Sequence, residues 1–422
     1  MDEIYKEAQL RNIFTTFAKN KPLIFVSNMS FKIPLSRIGL LPRIIIAILA
    51  GIGAGYVFPE WLGRVFITFN ATFCQFLSFC IPLIIIGFVA TAISEIGSKA
   101  GKMLLFTAIL AYVATFLSGT ISYFTGLFTF PSLLSGTVVA TTGETVDKSL
   151  QPFFVIEMPP LMSVMTALVV AFLFGLGIAH LDENSSLRRG FGEIRDIIVK
   201  VIYKVIIPLL PIYIFGIFLN MTVAGQVGPV LKTFMTIILI IFAIHIGVLL
   251  LQFTVASFFS MSSKNPLKLL GTMLPAYFTA LGTQSSAATI PVTLAQAKKL
   301  GVSDGVAGFV IPLCATIHMS GSMLKITACA LALMIVNGLP YDTPMFLSFI
   351  GMLGVTMVAA PGVPGGAIMA ALGLLTQILG FSDTDNALMI ALYIAMDSFG
   401  TACNVTGDGA LSVIVNRFFG NK

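Results

Sequence analysis

Long, uninterrupted apolar runs limit what this sequence can fold into. A helix needs about 20 consecutive apolar residues to span a bilayer. Runs of that length lie at 38–58, 65–94, 102–130, 159–181, 197–222 and 229–260. A β-barrel would show short alternating strands instead. The runs therefore predict an all-α polytopic membrane protein, with the lipid bilayer as a partner.

The charge content excludes the main soluble classes. Of the 422 residues, 57% are hydrophobic and only 10% are charged, against about 25% charged residues in an average soluble domain. A soluble enzyme, a nucleic-acid-binding protein or a disordered chain needs more polar surface than this. The five cysteines have no metal-ligand spacing and are interpreted as small buried hydrophobic residues, and we expect no cofactor.

The first 36 residues contain no spanning run. Leu10, Ile13, Phe14 and Phe17 recur at helical spacing among basic residues, a pattern typical of an amphipathic helix on a membrane surface. We therefore expect 1–36 to be an N-terminal amphipathic segment on the cytoplasmic side.

Two later apolar segments, 266–300 and 343–382, are interrupted at their centres. Small and polar residues interrupt the first between Gly282 and Ala288, and prolines and glycines interrupt the second between Ala360 and Gly366. Paired interrupted segments indicate a transporter binding site, because non-helical backbone at membrane depth must be buried or line a cavity. Two ordinary kinked helices are the alternative. The predicted helices that follow the two segments span 304–336 and 386–416.

The distribution of positive charge predicts the orientation. With both termini cytoplasmic and both interrupted segments returning to the side they enter from, 20 of the 24 Lys and Arg residues fall on the cytoplasmic side. Such an excess is the usual mark of that side. Basic pairs at both ends of the first segment, Lys264 with Lys268 and Lys298 with Lys299, favour a re-entrant hairpin.

Polar residues recur along one face of the predicted last helix. Asp397, Thr401, Asn404 and Asp408 follow one another at three- and four-residue intervals, which places them in one stripe. Charges inside membrane spans are costly and usually functional. The stripe therefore predicts one wall of a polar cavity near mid-membrane.

The helix at 304–336 carries the other ionisable residues of this half. His318 and Lys325 are seven residues apart and share a face with Ser322. This face predicts a second wall of the cavity. A buried ion pair between Lys325 and Asp408 that only specifies the fold is the alternative.

Four motifs in order resemble the dicarboxylate/amino acid:cation symporters, the glutamate-transporter family. They are Thr283–Pro291, Ile311–Ser322, Pro361–Gly365 and Asp397–Asp408. The resemblance covers roughly 265–418. It implies eight transmembrane helices plus two re-entrant helical hairpins, a homotrimer, and an elevator-type mechanism in which a transport domain slides past a scaffold.

The resemblance also implies a domain organisation. Six helices would occupy 37–264, the first, second, fourth and fifth forming the trimeric scaffold and the third and sixth joining the transport domain. The core of the transport domain would be 265–422. Its parts would be hairpin 1 at 266–300, helix 7 at 304–336, hairpin 2 at 343–382 and helix 8 at 386–416.

The site residues carried over from the resemblance form two sets. The substrate would meet Gln284, Ser285, Ser286, Met319, Ser322, Val363, Pro364, Gly365, Asp397, Gly400, Thr401 and Asn404. Asp397 would take the substrate amino group, while Thr401, Asn404 and the serines of the hairpin tip would hold the substrate and its carboxylate. The coupling ion would depend on Thr316, His318, Lys325, Asn404 and Asp408.

Two departures from the family pattern concern the substrate. Family members that carry acidic substrates have an Arg where this chain has Gly400, and an Arg is common where it has Gln284. Without these cations an acidic side chain would be buried unpaired, which is costly. A neutral amino acid fits better, and we expect Gly400 to leave room for its side chain.

Two further departures concern the coupling ion. Ser320 and His318 stand where the family has an Asp and an Asn, and Lys325 replaces a neutral or aromatic residue. Histidine titrates near neutral pH, and a buried lysine can also exchange its proton. We therefore hypothesise that His318 and Lys325 carry H⁺ in place of Na⁺, although a sodium site near Asn404 and Asp408 stays open.

The sequence thus predicts a symporter that imports a small, neutral amino acid across the plasma (inner) membrane. One alternative is a sodium-coupled symporter of acidic amino acids or dicarboxylates in which Lys325 binds the carboxylate. A second is an anion-conducting, channel-like member of the fold. An intramembrane enzyme is disfavoured, because residues two apart on a helix, such as His318 and Ser320, do not face one another, and the sequence has no metal-ligand spacing.

Overall fold

A computed structural model describes residues 40–98, 102–134, 149–182, 184–225, 227–260, 265–358 and 365–420. Every regular element in these ranges is a helix. In chain order the helices are α1 (Leu40–Val57), α2 (Glu60–Ser98), α3 (Lys102–Leu133), α4 (Val164–Ala179), α5 (Ser186–Val201), α6 (Ile207–Val223), α7 (Val227–Phe259), α8 (Pro266–Thr283), α9 (Ser286–Lys299), α10 (Asp304–Ile317), α11 (Ser320–Val336), α12 (Thr343–Val358), α13 (Gly366–Leu379), α14 (Asp383–Ala395) and α15 (Asp397–Phe419). The predicted amphipathic segment 1–36 lies outside the described residues.

Several of these helices are long and apolar enough to cross a bilayer. Within the described ranges they are Glu60–Thr91, Lys102–Leu133, Ser186–Val223, Phe234–Phe259 and Asp304–Val336, with the bent pair α14–α15 as a sixth candidate. A π-helical turn, Ile202–Ile206, joins α5 to α6 within the third of them. The helices α1 and α4 are apolar but shorter, so the count of eight spans stays a prediction.

The helices pack in two groups. The first contains α1, α2, α4, α5 and α6, and the second contains α3 and α7 together with α8–α12 and α15. Small residues bring α1 close to α6: a Cβ added at Gly51 would lie 2.5 Å from the carbonyl oxygen of Phe215. Such close backbone approach is a common way to pack membrane helices. The division into scaffold and transport domains stays a prediction.

Both interrupted segments consist of two helices that pack against each other, α8 with α9 and α12 with α13. The first break falls between Thr283 and Ser286, inside the predicted tip. The second falls between Val358 and Gly366, and residues 359–364 of this tip lie outside the described ranges. Re-entry of each pair from one face of the bilayer stays a prediction.

The predicted helical stretches at 304–336 and 386–416 are present, but each is interrupted once. The first divides into α10 and α11, because His318 is extended, with φ −96° and ψ 104°. The second divides into α14 and α15, which meet at Met396 with a bend of 61°. The predicted span at 159–181 also begins later, since α4 starts at Val164.

The broken span α10–α11 is held by α3. The backbone N–H of Met319 donates to Thr115 Oγ1 at 3.2 Å, and the hydroxyls of Ser118 and Ser122 donate to carbonyl oxygens of α11 at 2.8 and 2.7 Å. These bonds supply a partner where the helix is interrupted, as buried backbone groups require. The five cysteines are all buried with free thiols, which confirms their interpretation as small core residues.

Candidate functional site

A small polar cavity lies where four helices begin. Its lining is Gln284, Ser286, Ala315, Met319, Ser322, Ala367, Tyr393, Asp397, Thr401 and Asn404, and its volume is about 30 Å³. That is roughly the share of liquid volume taken by one water molecule. The N-terminal turns of α9, α11, α13 and α15 all contribute. Helix N-termini favour anions, because their first N–H groups have no intrahelical acceptor.

The tip between α8 and α9 brings two sequence-predicted residues to the cavity. Gln284 adopts a left-handed conformation, with φ 52°, at the end of α8. This conformation costs free energy for a residue with a Cβ and is concentrated at functional sites. Ser285 caps α9 by accepting a hydrogen bond from the N–H of Ala288 at 3.2 Å. Gln284 and Ser286 line the cavity, while Ser285 acts as the cap.

Asp397, the first residue of α15, is the carboxylate of the cavity wall. Its Oδ2 accepts a hydrogen bond from the N–H of Gly365 at 2.9 Å, which ties α15 to the start of α13. Its Oδ1 lies 3.6 Å from Nζ of Lys325. Asp397 therefore joins the second interrupted segment to α11 and α15. Val363 and Pro364, also predicted at the site, lie outside the described residues.

Lys325 pairs with Asp397, so the predicted alternative of a pair with Asp408 is wrong. The helices α11 and α15 approach each other at Gly321 and Gly400, which brings Lys325 beside Asp397, whereas Asp408 lies further along α15. His318 and Lys325 consequently do not act on one face: each has a different acidic partner.

Gly400 does not leave room for a substrate side chain. A Cβ built at this position would overlap Nζ and Cε of Lys325. The space beside Gly400 is therefore filled by the lysine ammonium, and the predicted role of Gly400 in widening the substrate site is wrong.

A hydrogen-bonded network fixes Asn404. Its Oδ1 accepts from the N–H of Gly321 at 2.7 Å, and its Nδ2 donates to Ser322 Oγ at 3.4 Å. The Ser322 hydroxyl in turn lies 3.0 Å from the hydroxyl of Tyr393. Thr401 bonds to the carbonyl oxygen of Asp397 in its own helix. Asn404 thus supports the interrupted helix while its side chain borders the cavity.

A second polar cluster lies beside the helix break. Nδ1 of His318 is 2.9 Å from Oδ1 of Asp408, and the two side chains are 0% and 1% exposed. Nε2 of His318 lies 3.5 Å from Nε2 of Gln252 in α7. Oδ2 of Asp408 has no hydrogen-bond donor among the described residues. The cluster is therefore a buried acid–base pair, and one oxygen of its carboxylate can still accept a hydrogen bond.

Two residues of the predicted coupling set lie apart from this cluster. Thr316 is exposed and donates to the carbonyl oxygen of Leu313 in its own helix. Asn404 uses its Oδ1 on Gly321, and no contact with Asp408 is described for it. Within the described ranges no group of three or more His, Cys, Asp and Glu side chains could hold a metal ion. The sodium site near Asn404 and Asp408 stays a prediction.

Sequence reasoning missed Gln252 and Tyr393. Each is one polar side chain in an apolar run, a signal too common to single out a site residue. His245, also in α7, is buried edge-to-face against Tyr277 at 5.8 Å between ring centroids.

A membrane-integral helical protein whose interrupted helices begin around a buried polar cavity is a membrane transport protein. The model of the sodium:dicarboxylate symporter family matches residues 40–418, and the chain belongs to this family. It is accordingly a transporter and not an enzyme. Membership confirms the resemblance drawn from the four motifs.

The similar proteins are transporters too. A serine/threonine transporter, SstT, of Acinetobacter baumannii (strain AYE) is 26% identical over 404 residues, covering 90% of this chain and 97% of that protein. An excitatory amino acid transporter of Caenorhabditis elegans is 30% identical over 61% of this chain and 51% of its own length. Excitatory amino acid transporter 2 of Homo sapiens is 28% identical over 66% of this chain and 48% of its own length.

Proposed function

We propose that this protein is a secondary active symporter that imports a small, neutral amino acid. The observation that carries the proposal is the convergence of four helix N-termini on a cavity that holds one carboxylate, Asp397. N-terminal N–H groups suit the substrate's α-carboxylate, and Asp397 suits its ammonium. The cavity thus has complementary groups for both charges of a zwitterion.

The side-chain end of the substrate is neutral in this proposal. Among the described residues that line the cavity, none is basic, and Gln284 and Ser286 supply polar but uncharged groups. An acidic side chain would enter without a partner, which is costly in a buried site. The nearly full-length similarity to a serine/threonine transporter supports a substrate of about that size.

The alternative substrate class, acidic amino acids or dicarboxylates, needs a cation for the second carboxylate. Lys325 is the candidate, but its ammonium contacts Asp397, and Lys325 is not among the described lining residues. These contacts make the alternative less favourable. An anion-conducting channel is also less favourable, because no described residue that lines the cavity is basic.

We propose that the coupling ion is H⁺ and that the pair His318–Asp408 binds it. With His318 neutral and Asp408 ionised, this buried pair carries one negative charge, and one bound proton makes it neutral. A net charge is costly to move through a bilayer. Among the described residues, the other titratable groups near Asp408 are the thiols of Cys314 and Cys403. Because Lys325 is paired with Asp397, we assign to Asp408 the proton-binding role that was predicted for Lys325.

The mechanism in this proposal is of the elevator type. The two packing groups of helices supply a candidate scaffold and a candidate transport domain, and the cavity is lined by the second group together with α13 and α14. Family membership supports a homotrimer in the plasma membrane with both termini cytoplasmic. Cross-linking of the intact protein in membranes tests the trimer, and the accessibility of single cysteines to membrane-impermeant reagents tests the orientation.

Transport in proteoliposomes tests the substrate and the coupling ion together. We expect labelled L-serine to accumulate when the outside is acidic, without a sodium gradient, and unlabelled L-serine inside to drive counterflow. Counterflow distinguishes a carrier from a channel. Accumulation that follows a sodium gradient and ignores pH would contradict proton coupling, and transport of L-aspartate but not L-serine would contradict the neutral substrate.

A further inference from the structure

Asp397 already has a partner for each carboxylate oxygen. Oδ2 accepts from the N–H of Gly365 at 2.9 Å, and Oδ1 lies 3.6 Å from Nζ of Lys325. Only 6% of Asp397 is exposed. A ligand ammonium that binds Asp397 must therefore share the carboxylate with Lys325 and Gly365, or displace one of them.

The surroundings of Lys325 favour a cation. Its Nζ donates to the carbonyl oxygen of Met396 at 3.1 Å, where α14 ends, and lies 3.8 Å from the centroid of the Tyr393 ring. The C-terminal end of a helix and the face of an aromatic ring both carry negative potential. With Asp397 they give the ammonium three favourable neighbours, although the side chain is only 1% exposed.

Gly400 is what allows this arrangement. A Cβ at this position would overlap Nζ and Cε of Lys325, so any larger residue would displace the ammonium. The lysine therefore occupies the space that a side chain at position 400 would enter. The positive charge beside the cavity is therefore that of Lys325 on α11, and not that of a basic side chain at position 400 of α15.

We propose that Lys325 is a tethered cation, which neutralises Asp397 when no substrate ammonium is bound and yields Oδ1 when one arrives. The proposal rests on the proposed function, because it takes Asp397 as the acceptor of the substrate amino group. An empty carrier with a bare, buried carboxylate would return across the membrane slowly, since unpaired buried charge is costly. Lys325 keeps the empty site neutral.

The same arrangement extends the range of substrates. When a carboxylate ligand lacks an ammonium, Asp397 is still paired with Lys325. A 2-hydroxy acid of the same size as the amino acid therefore leaves Asp397 paired, and its carboxylate has the same helix N-termini as partners. The site accepts 2-hydroxy acids beside amino acids.

Matched ligands test the proposal on the wild-type protein. Glycerate differs from L-serine, and lactate from L-alanine, by a hydroxyl in place of the ammonium. We expect each hydroxy acid to compete with labelled L-serine within about tenfold of its amino acid, and Lys325→Met to widen this gap by roughly tenfold or more. Hydroxy acids that fail to compete in the wild-type protein, or an unchanged gap in Lys325→Met, overturn the proposal.

The return of the empty carrier gives a second measurement. In Lys325→Met proteoliposomes, net uptake of L-serine requires this return, whereas exchange against internal L-serine does not. We expect net uptake to fall at least about tenfold more than exchange. A parallel fall of both rates means that Lys325 is only structural and overturns the proposal.

The two proposals fail in different ways. If wild-type protein neither binds nor transports L-serine or L-alanine, the proposed function is wrong and this inference falls with it. If wild-type protein transports them and rejects both hydroxy acids, only the tethered cation is wrong. The wild-type comparison decides the question even if Lys325→Met does not fold.

Discussion

The imidazole Nδ1 of His318 lies 2.9 Å from Oδ1 of Asp408, and both side chains are buried at the break between α10 and α11. In the proposed function this pair binds the coupling proton, and Asp408 supplies the negative charge of the pair.

Asp408→Asn removes that negative charge. We expect L-serine uptake driven by a pH gradient to fall roughly tenfold or more, with a smaller loss of exchange at equal pH on both sides. The measurement is L-serine uptake in proteoliposomes with a pH gradient imposed, compared with exchange at equal pH on both sides.

Thr316→Val is the matched control for this prediction, because Thr316 is exposed and bonds within its own helix. We expect it to retain pH-driven uptake. Undiminished pH-driven uptake in Asp408→Asn, or an equal loss in Thr316→Val, would contradict the role of the pair.

Gly400→Ala places a Cβ on the ammonium of Lys325. We expect the free energy of unfolding to fall by about 1–3 kcal/mol, the usual range for overpacking a core, because the lysine must leave Asp397. Thermal unfolding of the purified protein in detergent measures this. Gly308→Ala is the control, since a Cβ there meets no atom within 4 Å; equal stability of the two variants would show that the contact is unimportant.

Gln284→Arg puts a guanidinium at the first hairpin tip, where the side chain borders the cavity. Because it offers a paired partner to a carboxylate, we expect L-aspartate to compete with labelled L-serine about tenfold better than in the wild type. Ala287→Arg adds the same charge at an exposed position of the same tip. If it improves competition equally, surface charge and not the cavity explains the effect.

Ser118 and Ser122 hold α3 to α11 through hydrogen bonds of 2.8 and 2.7 Å. We expect their joint replacement by Ala to lower the free energy of unfolding by about 1 kcal/mol for each bond. Thr120→Ala is the control, because its hydroxyl donates only to the carbonyl oxygen of Phe116 in its own helix. If the double variant and the control have the same unfolding curve, the two serine hydrogen bonds do not stabilise the contact between α3 and α11.

Much of the fold could be predicted, because a bilayer demands long apolar helices. The run at 102–130 corresponds to α3, which spans Lys102–Leu133. Interruption of 266–300 followed from the small, polar residues near Gln284, and the break lies there. Of the predicted polar stripe, Asp397, Thr401 and Asn404 lie on one helix and line one cavity, whereas Asp408 lies on the same helix but contacts His318 instead.

The remaining features depend on contacts that are distant in sequence. Neither His318 nor Met319 is a helix-breaking residue, and the break there is stabilised by Thr115 and Asn404 from other helices. The local sequence therefore predicts a continuous helix here. The partner of Lys325 depends on where α11 and α15 approach each other, at Gly321 and Gly400, and the sequence does not show this contact.

The backbones of α11 and α15 touch at Gly321 and Gly400, where a Cβ on Gly321 would overlap the carbonyl oxygen of Gly400. A contact between two backbones cannot be loosened by a change of rotamer, so we expect α11 and α15 to keep the same relative position. Asp397 and Asp408 both lie on α15. In the proposed function, a substrate at Asp397 and a proton at Asp408 are therefore held at a fixed distance from each other.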